Sequence, residues 1–321
     1  MRHQLIGTFP PPLGGISVFL YRRRRQLLDC GESVVTVDFG KLGRWRRNAA
    51  LLRMLLDPRP YAFDLNEVNF SAMAILVMRP FPGTVTYRVH GFGTLPHLQG
   101  ARRFVFRALL RRADRIVLVN EQLRAYHAWH GYELPPVTVV EPAFLPPPLD
   151  EEAEIRATYY PETLRFVETK RPLLVVNAFQ ITFHEGVDLY GIDLCIALID
   201  EIRKEHPGAG LLIALAEVGD PSYFATLQSE ISQRGLDAHV HFMTGQRQLW
   251  PLLKAATVLL RPTTTDGDAV SIREALYFGR QVVASDVVVR PEGTVVFPSR
   301  DLASFVEATR RALVAASDPQ R

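Results

Sequence analysis

The feature that most restricts the fold is an alternation of short strand-like runs and longer amphipathic runs. In the first half, runs rich in β-branched residues, such as SVVTVDF, TVTYRVH and RIVLV, alternate with helical patterns such as ISVFLYRRRRQLLDC and RRNAALLRMLLD. Alternation of this kind is typical of a parallel sheet with crossover helices. The pattern therefore predicts an α/β fold.

Prolines and charged residues interrupt this alternation over residues 144–172, and it then restarts with PLLVVNAF. We therefore predict two facing Rossmann-like, doubly wound domains over residues 1–145 and 172–321, joined by a linker over residues 146–171. Ligands of open α/β sheets bind beyond the carboxyl ends of the strands. A cleft between the two domains is therefore the expected site.

Charge is divided unevenly between the two halves. Residues 1–150 contain 20 basic and 11 acidic residues, whereas the rest of the chain contains 17 and 23. The basic half predicts an anionic partner, such as a membrane surface or a phosphorylated lipid carrier. Solvated helix faces are the alternative explanation of the same arginines. Nucleic acid is not expected, because no recognised binding motif accompanies the charge.

The cysteine content and the apolar runs restrict the compartment. Cys30 and Cys195 are too few for a disulfide framework or a cysteine-rich zinc site, which favours a reducing compartment. The first residues lack the pattern of a signal peptide, and no apolar run reaches the roughly 18 residues of a spanning helix. We expect a cytoplasmic protein, either soluble or peripheral at the inner face of the cell membrane.

The segment RPTTTDGDAVSIREALYFGRQVVASDVVVRPEG, residues 261–293, is the richest in candidate site residues. Asp266 follows the strand-like run TVLLRP, and Glu274 lies in the next helical run with seven residues between them. A carboxylate accepts two hydrogen bonds at once and so suits the vicinal hydroxyls of a sugar. The backbone between the two acids lies at a helix start, which can cradle a diphosphate. We expect the donor-contacting residues there to include Gly267, Val270 and Ser271.

This spacing and the following EALYFGRQVVASD resemble the E-x7-E motif of the GT4 family of retaining glycosyltransferases, which have the GT-B fold of two facing Rossmann-like domains. The pattern RPT-x-TDGD-x-VS-x-REAL is similar to a bacterial branch that makes capsule and cell-surface polysaccharides. The resemblance implies that Asp266 contacts the donor sugar and that Glu274 contacts the ribose. It also implies transfer with retention, no metal ion, and no cofactor other than the nucleotide-sugar co-substrate.

Two features of the first half match the donor side of that family. Gly14 and Gly15 lie between the first strand and the first helix, where paired glycines let the backbone approach a ligand closely. A structural turn is the alternative. His90 ends the run TVTYRVH, where the family often carries a histidine near the donor sugar. A strand-end histidine that bonds to nearby backbone is the alternative.

The family usually neutralises the donor diphosphate with an arginine and a lysine after the first strand of the second domain. The corresponding stretch here reads VVNAFQITFHEGVDLYGIDL, with Tyr190 at the lysine position and no arginine before it. Arg261 and Arg290 are the candidates to replace this pair, because a diphosphate leaving group needs its charge balanced. Ion pairs with nearby acids are the alternative role for both arginines.

These features predict a glycosyltransferase that moves a sugar from a nucleotide-sugar donor to a saccharide or lipid-linked acceptor in cell-surface polysaccharide synthesis. A noncatalytic GT-B subunit that binds nucleotide or saccharide is one alternative, and a sugar-nucleotide epimerase is another. The run Asp266-Gly267-Asp268 also matches the Asp-x-Asp metal motif of the other major transferase fold. The two-domain pattern argues against that interpretation.

Overall fold

The structure is a computed structural model that describes residues 2–41, 43–92 and 95–317. The chain divides into two compact units, Met1–Leu145 and Pro146–Arg321. Within the described ranges, each unit is built on a six-stranded sheet whose neighbouring strands run parallel. The predicted α/β class, with a doubly wound sheet in each half of the chain, is confirmed.

In the described part of the first unit, the strand order is β2-β1-β3-β4-β5-β6. The order reverses beside β1, so the loops after β1 and β3 leave the sheet in opposite directions and open a crevice at its carboxyl edge. The strands are β1 (Arg2–Gly7), β2 (Ser33–Asp38), β3 (Tyr61–Leu65), β4 (Gly83–Val89), β5 (Arg115–Leu118) and β6 (Thr138–Val140). The helices are α1 (Gly15–Asp29), α2 (Arg44–Leu56), α3 (Phe70–Met78), α4 (Gly100–Arg112) and α5 (Gln122–Trp129).

The described part of the second unit repeats this plan with the order β11-β10-β7-β12-β13-β14, so its reversal lies beside β7. The strands are β7 (Leu173–Ala178), β8 (Phe183–His184), β9 (Val187–Asp188), β10 (Gly210–Leu215), β11 (Val240–Thr244), β12 (Val258–Arg261), β13 (Gln281–Ser285) and β14 (Thr294–Phe297). The helices are α6 (Glu152–Arg156), α7 (Pro161–Thr169), α8 (Ile192–Glu205), α9 (Pro221–Gln233), α10 (Trp250–Ala255), α11 (Val270–Tyr277) and α12 (Leu302–Ala316). Strands β8 and β9 form a separate antiparallel hairpin.

The central strands of the second unit are continuous apolar runs because both faces of the sheet are covered. Every residue of β10 is buried. One face packs into a cluster with α8 and α12, and the other packs with α7, α10 and α11. This two-sided core fixes the carboxyl ends of β7 and β12, from which the candidate site is built.

The segment predicted as a linker, residues 146–171, differs from that prediction because it contains α6 and α7 and belongs to the second unit. Ile155, Tyr159 and Val167 are buried in the core of that unit, and the Tyr159 hydroxyl donates to the Gln248 carbonyl at 2.6 Å. Of the prolines in this stretch, Pro161 is compatible with a helix because it occupies the first turn of α7. The charged residues obscured the short apolar stripe that binds the segment to the sheet.

Candidate functional site

The segment 261–293 runs from the last residue of β12 through the loop after it, α11 and β13 to the next loop. Arg261 ends β12, and Glu274 lies on α11. Since β12 and β13 are adjacent and parallel, the loops that follow them leave from the same edge of the sheet. The structure therefore brings Asp266 and Arg290 together with Arg261, although 24 residues separate Asp266 from Arg290.

Asp266 lies in a buried ionic cluster with both arginines. Arg261 donates from Nε and Nη2 to the two carboxylate oxygens, each at 3.0 Å, and Arg290 Nη1 donates at 2.7 Å. The side chain of Asp266 is 7% exposed. Burial alone would raise the pKa of Asp266, but Arg261 and Arg290 outweigh it and lower the pKa to about 2. The carboxylate is therefore ionised, and both of its oxygens accept bonds from the chain itself.

Arg290 is held entirely by groups of its own unit. Its side chain is 2% exposed, and its guanidinium donates to the Ser285 carbonyl at 2.8 Å, the Ser285 hydroxyl at 3.1 Å and the Thr263 hydroxyl at 3.2 Å. A side chain so enclosed does not present its donors to a diphosphate. The arrangement matches the ion-pair alternative for Arg290. Its bonds to Asp266 and Thr263 hold the loop after β12 in place.

Arg261 is the more accessible of the two arginines, with 11% of its side chain exposed. Besides Asp266 it donates to the Asn177 carbonyl at 3.2 Å, at the end of the neighbouring strand β7. Its guanidinium carbon lies 5.3 Å from the centre of the Tyr190 ring, within range of a cation–π contact. Tyr190, predicted to correspond to the family's lysine, therefore contacts a cation here and carries none itself.

The start of α8, where the resemblance predicted no cationic diphosphate clamp, is occupied by an acidic side chain of the chain itself. The Asp188 carboxylate accepts from the backbone N–H groups of Tyr190, Gly191 and Ile192 at 3.0, 3.2 and 2.9 Å. Burial raises the pKa of Asp188, which is 2% exposed. Sequence analysis did not single out Asp188, although an aspartate before a helical run is a capping signal. An anion at this helix start would have to displace the chain's own carboxylate.

At the start of α11 the N-cap residue is Ala269, which has no polar side chain with which to cap the helix. By contrast, Asp220 caps α9 and Asp301 caps α12. Val270 and Ser271, predicted as donor contacts, form the first turn of α11, and Gly267 lies in the loop before it. Backbone N–H groups at a helix start suit an anion.

Glu274 lies one turn further along α11 and is buried, with 4% of the residue exposed. Its charge contributes to raising the pKa of Tyr159, which burial raises most. Glu274 therefore lies close to the segment before α7 and on the core side of α11. The structure places Glu274 in the helix that follows the Asp266 loop, as the spacing predicted.

The Asp-x-Asp alternative is disfavoured by the partners of its two carboxylates. Asp266 is bonded to two arginines, and Asp268 accepts from Arg273 Nε at 2.7 and 2.9 Å. Paired carboxylates hold a divalent cation through their oxygens, and guanidinium groups occupy these positions. The described residues contain no group of three or more side chains suited to a metal ion.

In the first unit, Gly14 is the N-cap of α1, and Gly14 and Gly15 are both exposed. Gly14 N–H donates to the Ser17 hydroxyl at 2.9 Å, and this hydroxyl donates to the Pro12 carbonyl at 2.5 Å. A Cβ added at Gly14 would meet no atom within 4 Å. The described contacts therefore do not require glycine at position 14, and its role as a ligand contact stays a prediction.

His90 directly follows β4 and hydrogen-bonds to a side chain. The alternative given by the sequence was a strand-end histidine bonded to nearby backbone. Its Nε2 lies 2.9 Å from Asn66 Oδ1, and Asn66 Nδ2 donates to Asp64 Oδ1 at 2.8 Å. Because the amide nitrogen of Asn66 serves Asp64, its oxygen is the acceptor, so we assign the proton of His90 to Nε2. Burial, and less strongly the charge of Arg88, lowers the pKa of His90 to about 3. The imidazole is neutral near pH 7, and Nδ1 is a hydrogen-bond acceptor.

Sequence analysis missed Asn66 and Asp64 as partners of His90. The signal was present, because Asn66 directly follows the strand run FDL, as His90 ends its own run. Asn66 is 2% exposed and Asp64 is 8% exposed, and burial raises the pKa of Asp64. Strand neighbours at one edge are recognisable only when the sheet order is known, here β3 beside β4.

Comparisons with known proteins bear on both units. Residues 181–314 match the family model described as "Glycosyl transferases group 1". A search of curated proteins gave no significant match. The family-model match covers most of the second unit, including β12, α11 and both arginines that bond to Asp266.

Solved structures resemble the whole chain. Sucrose-phosphate synthase from Thermosynechococcus elongatus has a TM-score of 0.62 and 16% identity, covering 99% of this chain and 90% of its own. The Anabaena protein Alr3699/HepE in complex with UDP-glucose has a TM-score of 0.60 and 15% identity, covering 98% and 94%. A UDP-forming trehalose-phosphate synthase from Burkholderia xenovorans has a TM-score of 0.64 and 13% identity, covering 97% and 91%. At these identities the likeness shows the fold.

Proposed function

We propose that this chain, which has the GT-B fold and carries a group 1 glycosyltransferase domain in its second unit, transfers a sugar from a nucleotide-sugar donor to a saccharide or lipid-linked acceptor. The observation that carries the proposal is the β12–α11 element. There an ionised Asp266 holds the Arg261 guanidinium in place, α11 begins directly after this loop, and Glu274 follows within the same helix. A nucleoside diphosphate is bound by a cation and a helix start, which contact its phosphates, and by a carboxylate, which contacts its ribose.

Arg261 is the residue to which we assign the diphosphate. Three of its five N–H groups donate to Asp266 and to the Asn177 carbonyl, which leaves donors for a ligand. Asp266 then acts through Arg261 as a positioning residue, since its own oxygens already accept from two guanidinium groups and from Gly267 N–H. This replaces the role implied by the family resemblance, in which Asp266 contacts the donor sugar directly.

The remaining roles follow from the chemistry of each group. Glu274 accepts hydrogen bonds from the ribose hydroxyls, and His90 accepts one from a sugar hydroxyl through Nδ1. Gly14 and Gly15 let the backbone approach the ligand. We propose transfer with retention and without a metal ion, in which the leaving phosphate assists attack from the same face. The ion-paired Asp266 and Asp268 support metal independence.

We further propose that the protein acts in the cytoplasm on a cell-surface polysaccharide, beside the membrane. The basic first half supports an anionic partner, and Cys30 and Cys195 are both free thiols. None of the helices in the described ranges is long and apolar enough to cross a membrane.

A donor screen tests the proposal most directly. Ligands that bind only the folded state raise the melting temperature, so one class of UDP-, GDP-, ADP- or dTDP-sugars is expected to raise the Tm of the wild-type chain, with and without Mg²⁺. UDP-glucose is the first donor to test, because the Anabaena structure contains it. A chain whose Tm responds to no nucleotide-sugar does not fit a transferase.

Replacement of Glu274 with glutamine is expected to weaken donor binding about tenfold or more, because a charge-assisted hydrogen bond is about twice as strong as a neutral one. The measurement is the donor Kd by calorimetry, with unfolding followed in parallel. Glu307→Gln, on α12 of the same unit, is the control for loss of one negative charge. Equal donor affinity of the Glu274→Gln and wild-type chains would remove Glu274 from the donor site.

A noncatalytic GT-B subunit is the second candidate, favoured by the occupied carboxylate of Asp266 and by Asp188 at the start of α8. Such a subunit binds a nucleotide-sugar without turning it over. Slow donor hydrolysis by the wild-type chain that is absent in Glu274→Ala would argue for the transferase. Donor binding with no hydrolysis and no transfer to any acceptor would favour the subunit.

A further inference from the structure

Helix α2 is apolar on two opposite sides. Leu51 and Met54 pack into the core of the first unit. On the other side, Trp45, Leu52 and Leu56 are 86%, 53% and 63% exposed. Their spacings of seven and four residues place these three side chains on one stripe of the helix. One apolar side is thus explained by the core, and the other faces outward.

Helix α4 carries a ridge of arginines with an exposed aromatic ring. Arg103, Arg107 and Arg111 repeat every four residues and are exposed, and Phe104 beside them is 74% exposed. Helices α2 and α4 each pack against α3, so the three helices form one layer over the sheet. We call the outward side of this layer the α2–α4 face. The sequences of α2 and α4 together contain nine arginines and no acidic residue.

The exposed apolar stripe of α2 and the arginines of both helices together favour a lipid bilayer as the binding partner of this face. Exposed tryptophan and leucine on a helix flanked by arginines are the pattern of a helix that lies in the interface of a bilayer. Arginines near the surface of an anionic membrane add electrostatic attraction. Nucleic acid would attract the same charge, but it gives no reason for an aliphatic stripe of Leu52 and Leu56.

We propose that the α2–α4 face docks on an anionic lipid bilayer. Trp45, Leu52 and Leu56 enter the boundary between headgroups and acyl chains, and Arg46, Arg53 and the arginine ridge of α4 contact the lipid phosphates. The inference deepens the proposed membrane-side function by naming the surface that makes the contact. It does not require donor turnover, so lipid binding and catalysis are tested separately.

The test is flotation of the full chain with vesicles of phosphatidylcholine alone and of phosphatidylcholine mixed with phosphatidylglycerol. The wild-type chain is expected to float with the mixed vesicles and not with phosphatidylcholine alone. The variant Trp45→Ser/Leu52→Ser/Leu56→Ser is expected to bind the mixed vesicles at least tenfold more weakly. Its circular dichroism and Tm are expected to match the wild type, because the three side chains are exposed. A second variant, Arg46→Gln/Arg53→Gln/Arg111→Gln, is expected to bind the mixed vesicles more weakly, and its binding should depend less on salt concentration.

Val289→Ser/Val314→Ser is the matched control, since both valines are highly exposed, at 83% and 74%, but lie in the second unit. This control is expected to bind as the wild type does. Equal binding by the apolar triple variant and the wild type would overturn the proposal. A dimer in solution that the triple variant dissociates would assign the face to a second copy. Duplex DNA that displaces the chain from mixed vesicles would assign it to nucleic acid. The triple variant is expected to keep donor binding. Loss of vesicle binding with donor binding retained would therefore test the membrane contact separately from the proposed transferase function.

Discussion

Asp266→Asn is expected to lower the free energy of unfolding of the second unit by about 3–5 kcal/mol, the usual cost of removing one partner of a buried ion pair. The carboxylate lies between Arg261 and Arg290, which are 11% and 2% exposed. Asparagine fills nearly the same volume but supplies no charge, so two guanidinium groups would stay buried without their counter-ion. Urea unfolding followed by circular dichroism measures the difference.

The same carboxylate predicts a pH dependence of stability. Its pKa in the folded chain is about 2, below the ordinary 3.8. A group with a lowered folded-state pKa stabilises the fold fully above its unfolded pKa and ceases to do so as the pH falls through the folded value. Stability is therefore expected to fall between about pH 4 and pH 2, and the Asp266→Asn chain should lack this part of the dependence.

Asp193→Asn is the control for Asp266→Asn. Asp193 pairs with Arg300 at 2.6 Å, but their side chains are 28% and 32% exposed, so solvent screens the pair. Its loss is expected to cost about 1 kcal/mol or less. Adding Arg290→Met to Asp266→Asn should restore part of the lost stability, because one uncompensated charge is removed with it. Equal stability of Asp266→Asn and wild type would contradict the buried cluster.

Arg261→Ala is expected to lower kcat/KM for the nucleotide-sugar by roughly 10²–10³, the effect of removing one donor that stabilises developing charge. The negative charge of the departing diphosphate grows in the transition state, and Arg261 is the cation of the cluster with donors to spare. Steady-state kinetics with the donor found by the Tm screen measure the loss. Arg261→Lys keeps the charge without the bidentate geometry and should recover only part of it.

Arg300→Ala is the matched control, because it removes an arginine of the same unit that is also ion-paired with an aspartate. Its donor kinetics are expected to stay close to those of the wild type. Arg290→Ala distinguishes a structural role from a donor contact. It is expected to reduce the stability of the chain more than it changes the donor KM. A folded Arg261→Ala chain with unchanged donor kinetics would exclude Arg261 from diphosphate binding.

The fold class was predictable because the alternation of strand and helix patterns is a local property of the chain. Tyr159 and Val167 show where local patterns failed, because their segment appeared proline-rich and charged but packs through a few apolar side chains against the second sheet. The position of the acid motif was also predictable, since Arg261, Asp266 and Glu274 lie within one strand–loop–helix unit. Their roles as donor contacts stay predictions.

The sequence by itself determined two α/β units, a basic first half, and a segment at residues 261–293 that joins a strand end to a helix start. These depend on periodicity, composition and spacing, which are set by neighbours in the chain. Only the tertiary structure decided that Arg290 reaches Asp266 across 24 residues, that Asp188 occupies the start of α8, and that Asn66 orients His90. These contacts depend on which strands lie side by side, because the sheet order selects which loops meet. That order is set by burial of the whole sheet and not by any short run of residues.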